Sequence, residues 1–327
     1  MTEKMTIKEL LSKVIEGKDI SLEEANLLIR PDLTDLNELI QASDIITKHY
    51  FNNTVEMCAI YPAKMGKCSG DCAFCAQSVH HNSKITPISV QELKLDDIIS
   101  KAKDLEKFGT KHFSLVTSGE TLNDEEFNLI IHIFYRLNKE TTLKLCASLG
   151  SLTLEKAKKL KNAGVSRYHH NIETSRSFFP KICSTHSYDD KIETIKTAQQ
   201  AGLEICCGGI ISMGETAEQR VEMAFALKNL NVDCIPINIL NPIPGTPLEN
   251  QKLLSAEEIL RTIAVFRFIL KDKTLRFAGG REKALAEHEY LGYRAGINAL
   301  LIGDYLTTPG KSIENEKENL KMAGLII

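Results

Sequence analysis

Leu154-Glu-Lys-Ala-Lys-Lys-Leu-Lys-Asn-Ala163-Gly164-Val165-Ser-Arg-Tyr-His-His170 contains the unit from which the chain is built. Apolar residues fall at helical spacing through Leu154–Ala163. Gly164 then supplies the left-handed turn that stops a helix, and a short β-prone run follows at Val165–His170. The same grammar recurs along the chain. Helix-like stretches occupy Leu95–Phe108, Lys191–Ala201, Ala217–Asn229 and Ala256–Leu270, and Gly109, Gly202 and Gly296 stand just before strands. Strand-like runs occupy Val55–Tyr61, His112–Thr117, Thr142–Ala147, Val165–His170, Leu203–Gly208, Asp233–Ile239, Thr274–Phe277 and Asn298–Ile302. Strands alternating with helices imply right-handed βαβ units around a parallel sheet. Eight of them predict a (β/α)8 TIM-type barrel with its chemistry at the C-terminal strand ends; an open six-stranded doubly wound sheet is the alternative.

Residues 1–50 read as an N-terminal helical cap. Ser21 followed by Glu24 is the signature of a capping box there. The barrel is expected over residues 51–310 and a C-terminal tail over residues 311–327. A chain of 327 residues with net charge −3 carries no nucleic-acid footprint. The expected partners therefore include no nucleic acid and no membrane, because no apolar run reaches spanning length and no signal peptide opens the chain. Nine cysteines without a disulfide framework point to the reducing cytoplasm.

Cys68-Ser-Gly-Asp-Cys72-Ala-Phe-Cys75 places three thiols in one loop after the first strand. Three thiolates can hold three irons of a [4Fe–4S] cube and leave the fourth open to a ligand. The competing reading is a zinc knuckle completed by His80 or His81. The C-x3-C-x2-C spacing, with an aromatic residue before the last cysteine, resembles the radical S-adenosylmethionine superfamily. That resemblance implies that Cys68, Cys72 and Cys75 bind a cluster, that S-adenosylmethionine chelates the open iron, and that a 5′-deoxyadenosyl radical results.

Later motifs narrow the resemblance to the biotin synthase family. They are Leu145-Cys146-Ala-Ser-Leu-Gly150, Tyr168-His-His-Asn171-Ile-Glu173-Thr-Ser175, Glu204-Ile-Cys206-Cys-Gly-Gly-Ile210, Pro236-Ile-Asn238 and Leu275-Arg276-Phe-Ala-Gly-Gly-Arg281-Glu282. Ordered matches run over roughly residues 50–310. The resemblance implies sulfur insertion into dethiobiotin to form biotin, with the sulfur drawn from an auxiliary iron–sulfur cluster on Cys146, Cys206 and Arg276. Taken alone, Arg276 reads as an anion clamp or salt bridge inside the barrel. The related radical enzymes methylornithine synthase and the hydrogenase maturase are the nearest rivals; a redox-sensing iron–sulfur or zinc regulator is the rival of another class.

The chain departs from the family at Ser114, which stands where the auxiliary site normally has a cysteine, and serine is a poor substitute for a soft thiolate. Cys183 and Cys207 are the expected replacements. Cys207 adjoins Cys206, so the two share a site only if the strand bends at Gly208-Gly209. The auxiliary cofactor is then either a [2Fe–2S] cluster or a rebuilt four-iron cluster with an extra sulfide. Cys58 and Cys234 read as buried packing. The resemblance also implies substrate or cofactor contacts at Asn171, Glu173, Asn238 and Lys191, a flavodoxin or ferredoxin electron donor, and a homodimer.

Overall fold

The computed structural model describes residues 6–303, 306, 310–311 and 313–326. Helices α1 (Ile7–Ile15), α2 (Leu22–Leu28) and α3 (Leu36–Phe51) come first. The expected box at Ser21 is formed, with the Glu24 amide donating to the Ser21 hydroxyl and the Ser21 amide to the Glu24 carboxylate. There follow β1 (Glu56–Lys64), α4 (Leu95–Lys107), β2 (His112–Thr117), α5 (Asp124–Glu140), β3 (Lys144–Ser148), α6 (Leu154–Asn162), β4 (Val165–His169) and α7 (Tyr188–Gln200). The remainder is β5 (Glu204–Cys206), β6 (Gly209–Ile211), α8 (Ala217–Asn229), β7 (Cys234–Ile239), α9 (Ala256–Ile269), β8 (Thr274–Phe277), α10 (Arg281–Leu285), α11 (Glu289–Arg294), β9 (Ala299–Ile302) and α12 (Ile313–Met322).

Every strand pairing is parallel, in the order β5-β4-β3-β2-β1-β9-β8-β7-β6, and a β5–β7 pairing closes the ring. Nine segments make eight staves, because β5 and β6 are the two halves of the fifth. The eight-strand barrel replaces the open-sheet alternative. The interruption falls at Cys207-Gly208. A Cβ on Gly208 would stand 1.9 Å from the Pro236 carbonyl oxygen, so the neighbouring strand presses onto the backbone where only glycine fits.

The apolar layer lies between the strands and the helices. Helix α9 is buried around its whole circumference, because α1–α3 pack outside α8, α9 and α11. That double cover explains why its sequence has no polar stripe. Its Arg267 is fully buried and donates to the carbonyls of Gly296, Leu270, Lys271 and Lys273, tying the end of α9 to the strand that closes the barrel.

Segment 313–326 holds α12 and a pairing of Ile326 with Thr54 beside β1. Arg281 fastens it: its guanidinium meets Glu289 at 2.9 Å and Glu316 at 2.5 Å, with all three side chains buried. No helix among the described residues is long and apolar enough to cross a membrane.

Replacing Arg281 with Met strips its charge from buried Glu316 and leaves buried Glu289 to Lys311. The cluster-free chain is expected to lose about 3–5 kcal/mol in urea denaturation, as for other broken buried ion pairs. A loss below about 1 kcal/mol would show that α12 is held by its apolar contacts alone.

Candidate active site

The interior of this barrel is not lined by a plain aliphatic layer. Because alternate strand residues share a face, the inward positions read Cys58 on β1, His112 and Ser114 on β2, Cys146 on β3, Arg167 and His169 on β4, Cys206 on β5, and Arg276 on β8. All of them border one cavity of about 380 Å³. Arg276 Nη2 donates to the Cys206 sulfur at 3.0 Å, and His169 Nδ1 stands 3.2 Å from the same sulfur. Cys234 on β7 is in register with Cys206 and beside it, and Cys58 lies beside Arg276. Cys146 lies 3.7 Å from His112 Nδ1.

Four thiols from four staves therefore share the interior with two guanidinium groups, those of Arg276 and Arg167. Burial pushes the Cys146 thiol up to about 12. For Cys206 burial acts the same way, but the adjacent Cys234 thiol and the Arg276 and Arg167 charges outweigh it and hold the thiol below its usual value. Burial also opposes the charge on Arg276, and the surrounding thiols, Cys206 first, more than offset it.

The buried Ser114 hydroxyl, Arg276 Nε and Arg167 Nη1 have no hydrogen-bond partner. Buried polar atoms are rarely left so. Soft sulfur donors with uncommitted N–H and O–H groups beside them fit an iron–sulfur group, whose sulfides accept such bonds.

The expectation that Cys183 and Cys207 complete this set is corrected. The chain bends at Gly208, yet Cys207 still faces outward into the apolar layer near Tyr188, and burial drives its thiol pKa upward. Cys183 lies beside the three-cysteine loop instead, 3.8 Å from the Cys72 sulfur. Cys58 and Cys234, read as packing, are the thiols the interior does contain. One signal for Cys234 was available: it sits two and four residues before Pro236 and Asn238, on the same strand face.

The three-cysteine loop covers the C-terminal mouth of the barrel, and Phe74, Cys75 and Gln77 reach the same cavity. The loop is shaped by its backbone. Cys68 pairs with Gln77 and Val79, the Cys75 amide donates to the Cys72 carbonyl at 2.9 Å, and the Gly70 amide points at the Cys68 sulfur at 3.4 Å. The zinc reading with His80 or His81 fails here, because their Nε2 atoms lie 3.0 Å from the carbonyl oxygens of Ser69 and Cys72. Asp71 clamps the loop to the segment after β4, accepting from the Ser184 and Thr185 amides at 2.9 and 3.1 Å and from both hydroxyls. Those bonds, led by Ser184, hold its carboxyl well below the usual range.

Asn171, Glu173 and Asn238 line the cavity between the loop and the interior thiols. Asn171 Oδ1 accepts from the Gly208 amide at 3.0 Å; Asn238 accepts from the Gly279 amide and donates to the Gly209 carbonyl. Both amides thus brace the split fifth stave. Glu173 holds φ at +67°, a sparsely populated conformation for a residue with a Cβ. Lys191, on α7, is not among the residues bordering the cavity.

Residues 64–227 match the Radical SAM superfamily, and residues 236–326 match the Biotin and Thiamin Synthesis associated domain. The biotin synthase of Acetivibrio thermocellus is 52% identical over 97% of this chain and 98% of its own length. That of Carboxydothermus hydrogenoformans is 50% identical over 98% and 99%. Among solved structures, methylornithine synthase superposes with a TM-score of 0.82 at 20% identity, over 97% of this chain and 96% of its own. A maturase of the [FeFe]-hydrogenase also reaches 0.82, at 18% identity, over 99% of this chain and 76% of its own. These two likenesses are of fold.

Burial, and then the Arg276 charge, hold the His169 imidazole down at about 4. Since the unfolded value is near 6.5, the unfolded chain binds the proton first as pH falls. Stability of the cluster-free chain is expected to be full above pH ~6.5 and to decline toward pH ~4. His169→Asn should flatten that stretch of the denaturation midpoint against pH; an unchanged slope would assign it to other groups.

Proposed function

The chain belongs to the biotin synthase family, radical S-adenosylmethionine enzymes that insert sulfur into dethiobiotin to form biotin, and we propose that it does so in the one cavity that joins its three-cysteine loop to its interior thiols. That continuity carries the reading. Cys75 borders the cavity at the mouth, and Cys146, Cys206 and Arg276 border it at depth. A substrate held between them meets a hydrogen-abstracting group on one side and a sulfur donor on the other.

In this reading Cys68, Cys72 and Cys75 bind the [4Fe–4S] cluster and leave one iron for S-adenosylmethionine. Cys58, Cys146, Cys206 and Cys234 hold the auxiliary cluster, with Arg276 against Cys206 and with Ser114 at the position a cysteine usually fills. Four thiolates match the ligand count of a four-iron cluster; three cysteines with a serine do not replace them. When bound, the two groups supply a primary carbon radical at the mouth and a sulfide at depth.

The chain's own residues orient and shield. Asn171 and Asn238 are pinned through backbone amides, so their remaining donor and acceptor positions are pre-aimed at a cyclic urea. Ile210, Ile239 and Leu240 make the cavity wall apolar and keep water from the radical. Glu173 stands beside Asn171, and Lys191 supplies a positive charge behind the loop cysteines. A flavodoxin or ferredoxin would deliver the electron, and a cytoplasmic homodimer is the proposed setting.

Anaerobic single turnover with dethiobiotin, a strong reductant and S-adenosylmethionine is expected to yield biotin with about two molecules of 5′-deoxyadenosine, since two C–H bonds must be broken. Deoxyadenosine without biotin would keep the radical chemistry and remove the sulfur-insertion reading. Mössbauer spectra should show two four-iron centres, about eight irons per chain. The Cys58→Ser, Cys234→Ser double variant should lose the auxiliary centre while the loop cluster's EPR signal still responds to S-adenosylmethionine. A double variant with its auxiliary centre intact would return Cys58 and Cys234 to packing.

A further inference from the structure

The radical reading makes no use of Cys183 or His186, yet these two residues and Cys72 form a compact donor set. The Cys183 sulfur lies 3.8 Å from the Cys72 sulfur, 3.3 Å from His186 Nδ1 and 3.6 Å from His186 Nε2. One ligand atom from each of the three residues fits within a 4.8 Å span. The Cys183 sulfur also lies 3.3 Å from Asp71 Oδ1, which is already committed to the segment after β4.

These spacings have a specific meaning. Zinc–sulfur bonds of about 2.3 Å and zinc–nitrogen bonds of about 2.05 Å at tetrahedral angles put two sulfurs about 3.8 Å apart and a sulfur and a nitrogen about 3.5 Å apart. The Cys72–Cys183 and Cys183–His186 separations match those edges, so the donors suit a single ion. The scaffold is also held in place. Asp71 fastens segment 183–185 to the loop through four hydrogen bonds, the Ala73 amide donates to the Ile182 carbonyl at 2.8 Å, and Phe179 packs edge-on against the His186 ring.

We propose that Cys72, Cys183 and His186 form a binding site for one zinc ion in the cluster-free chain. Because Cys72 is also a proposed ligand of the [4Fe–4S] cluster, zinc here and the cluster exclude each other; that clause rests on the radical reading, while the ion site does not. Zinc would pin the loop onto segment 183–186 until iron and sulfide load. It is a different site from a zinc knuckle with His80 or His81, whose imidazoles face carbonyl oxygens.

The test uses the full-length cluster-free chain under anaerobic conditions, with Cys58, Cys146, Cys206 and Cys234 replaced by Ser to silence the interior thiols. Cobalt(II) serves as the spectroscopic probe and zinc as its competitor. One ion per chain is expected, with tetrahedral d–d bands and thiolate-to-cobalt charge transfer from two sulfurs. Cys183→Ser should remove about half of the charge-transfer intensity and weaken zinc about 100-fold, as loss of a ligand demands at least what loss of an outer-shell partner costs. His186→Ala should weaken zinc with the charge transfer retained, and His186→Cys should restore the affinity. Circular dichroism on each variant separates lost binding from lost fold.

Unchanged zinc affinity in folded Cys183→Ser and His186→Ala would place the ion on Cys68, Cys72 and Cys75 and overturn the proposal. In a second arm, one equivalent of zinc should slow formation of the loop cluster during iron and sulfide reconstitution, and should do so much less in Cys183→Ser. Cluster formation indifferent to zinc in the chain that keeps Cys183 would overturn the exclusion. Neither failure touches the sulfur-insertion reading, which is judged by biotin formation.

Discussion

Closure of the parallel ring is the constraint from which the rest follows. Once β9 pairs with β1 and the split fifth stave bridges β4 and β7, every inward side chain is confined to one narrow space with no route to solvent along the sheet. A barrel of this size is normally filled by bulky aliphatic residues. Here cysteines stand at four inward positions, and they are small. The volume they leave is the deep part of the cavity, where sulfur, guanidinium and imidazole stand among the apolar wall residues.

Such an interior is costly to the bare chain. Buried donors without partners and a buried guanidinium destabilise unless something satisfies them. The arrangement is consistent with a fold completed by the groups it binds, since a ligand taken up only by the native state stabilises it by mass action. The apolar layer compensates elsewhere. Helix α9 is buried between the barrel and the N-terminal helices, and Arg267 satisfies the carbonyls at its end. Arg281 holds the C-terminal segment through Glu289 and Glu316, so the ring is braced from outside.

The mouth is organised on a different principle. The three-cysteine loop has no regular structure of its own and depends on Asp71, whose carboxylate reaches the segment after β4. One acidic residue within the cysteine motif therefore ties the loop of the first stave to that of the fourth. The same clamp brings Cys183 and His186 beside Cys72.

Much of this was legible in the sequence because it is local. Helical spacing, the glycines before strands and the capping box at Ser21 depend on neighbouring residues, and they located all eight staves. The C-x3-C-x2-C spacing is local too, and so is the strand alternation that sets Cys206 and Cys207 on opposite faces. What the sequence could not determine was which thiols meet. Cys58, Cys146, Cys206 and Cys234 are far apart in the chain and converge only because barrel closure and strand register bring their inward positions together. Cys183 and Cys207 are near the right strands, but one is held by the Asp71 clamp and the other is turned outward by the pleat. Local periodicity assigns a residue to a face; only the closed tertiary structure decides which faces look at one another.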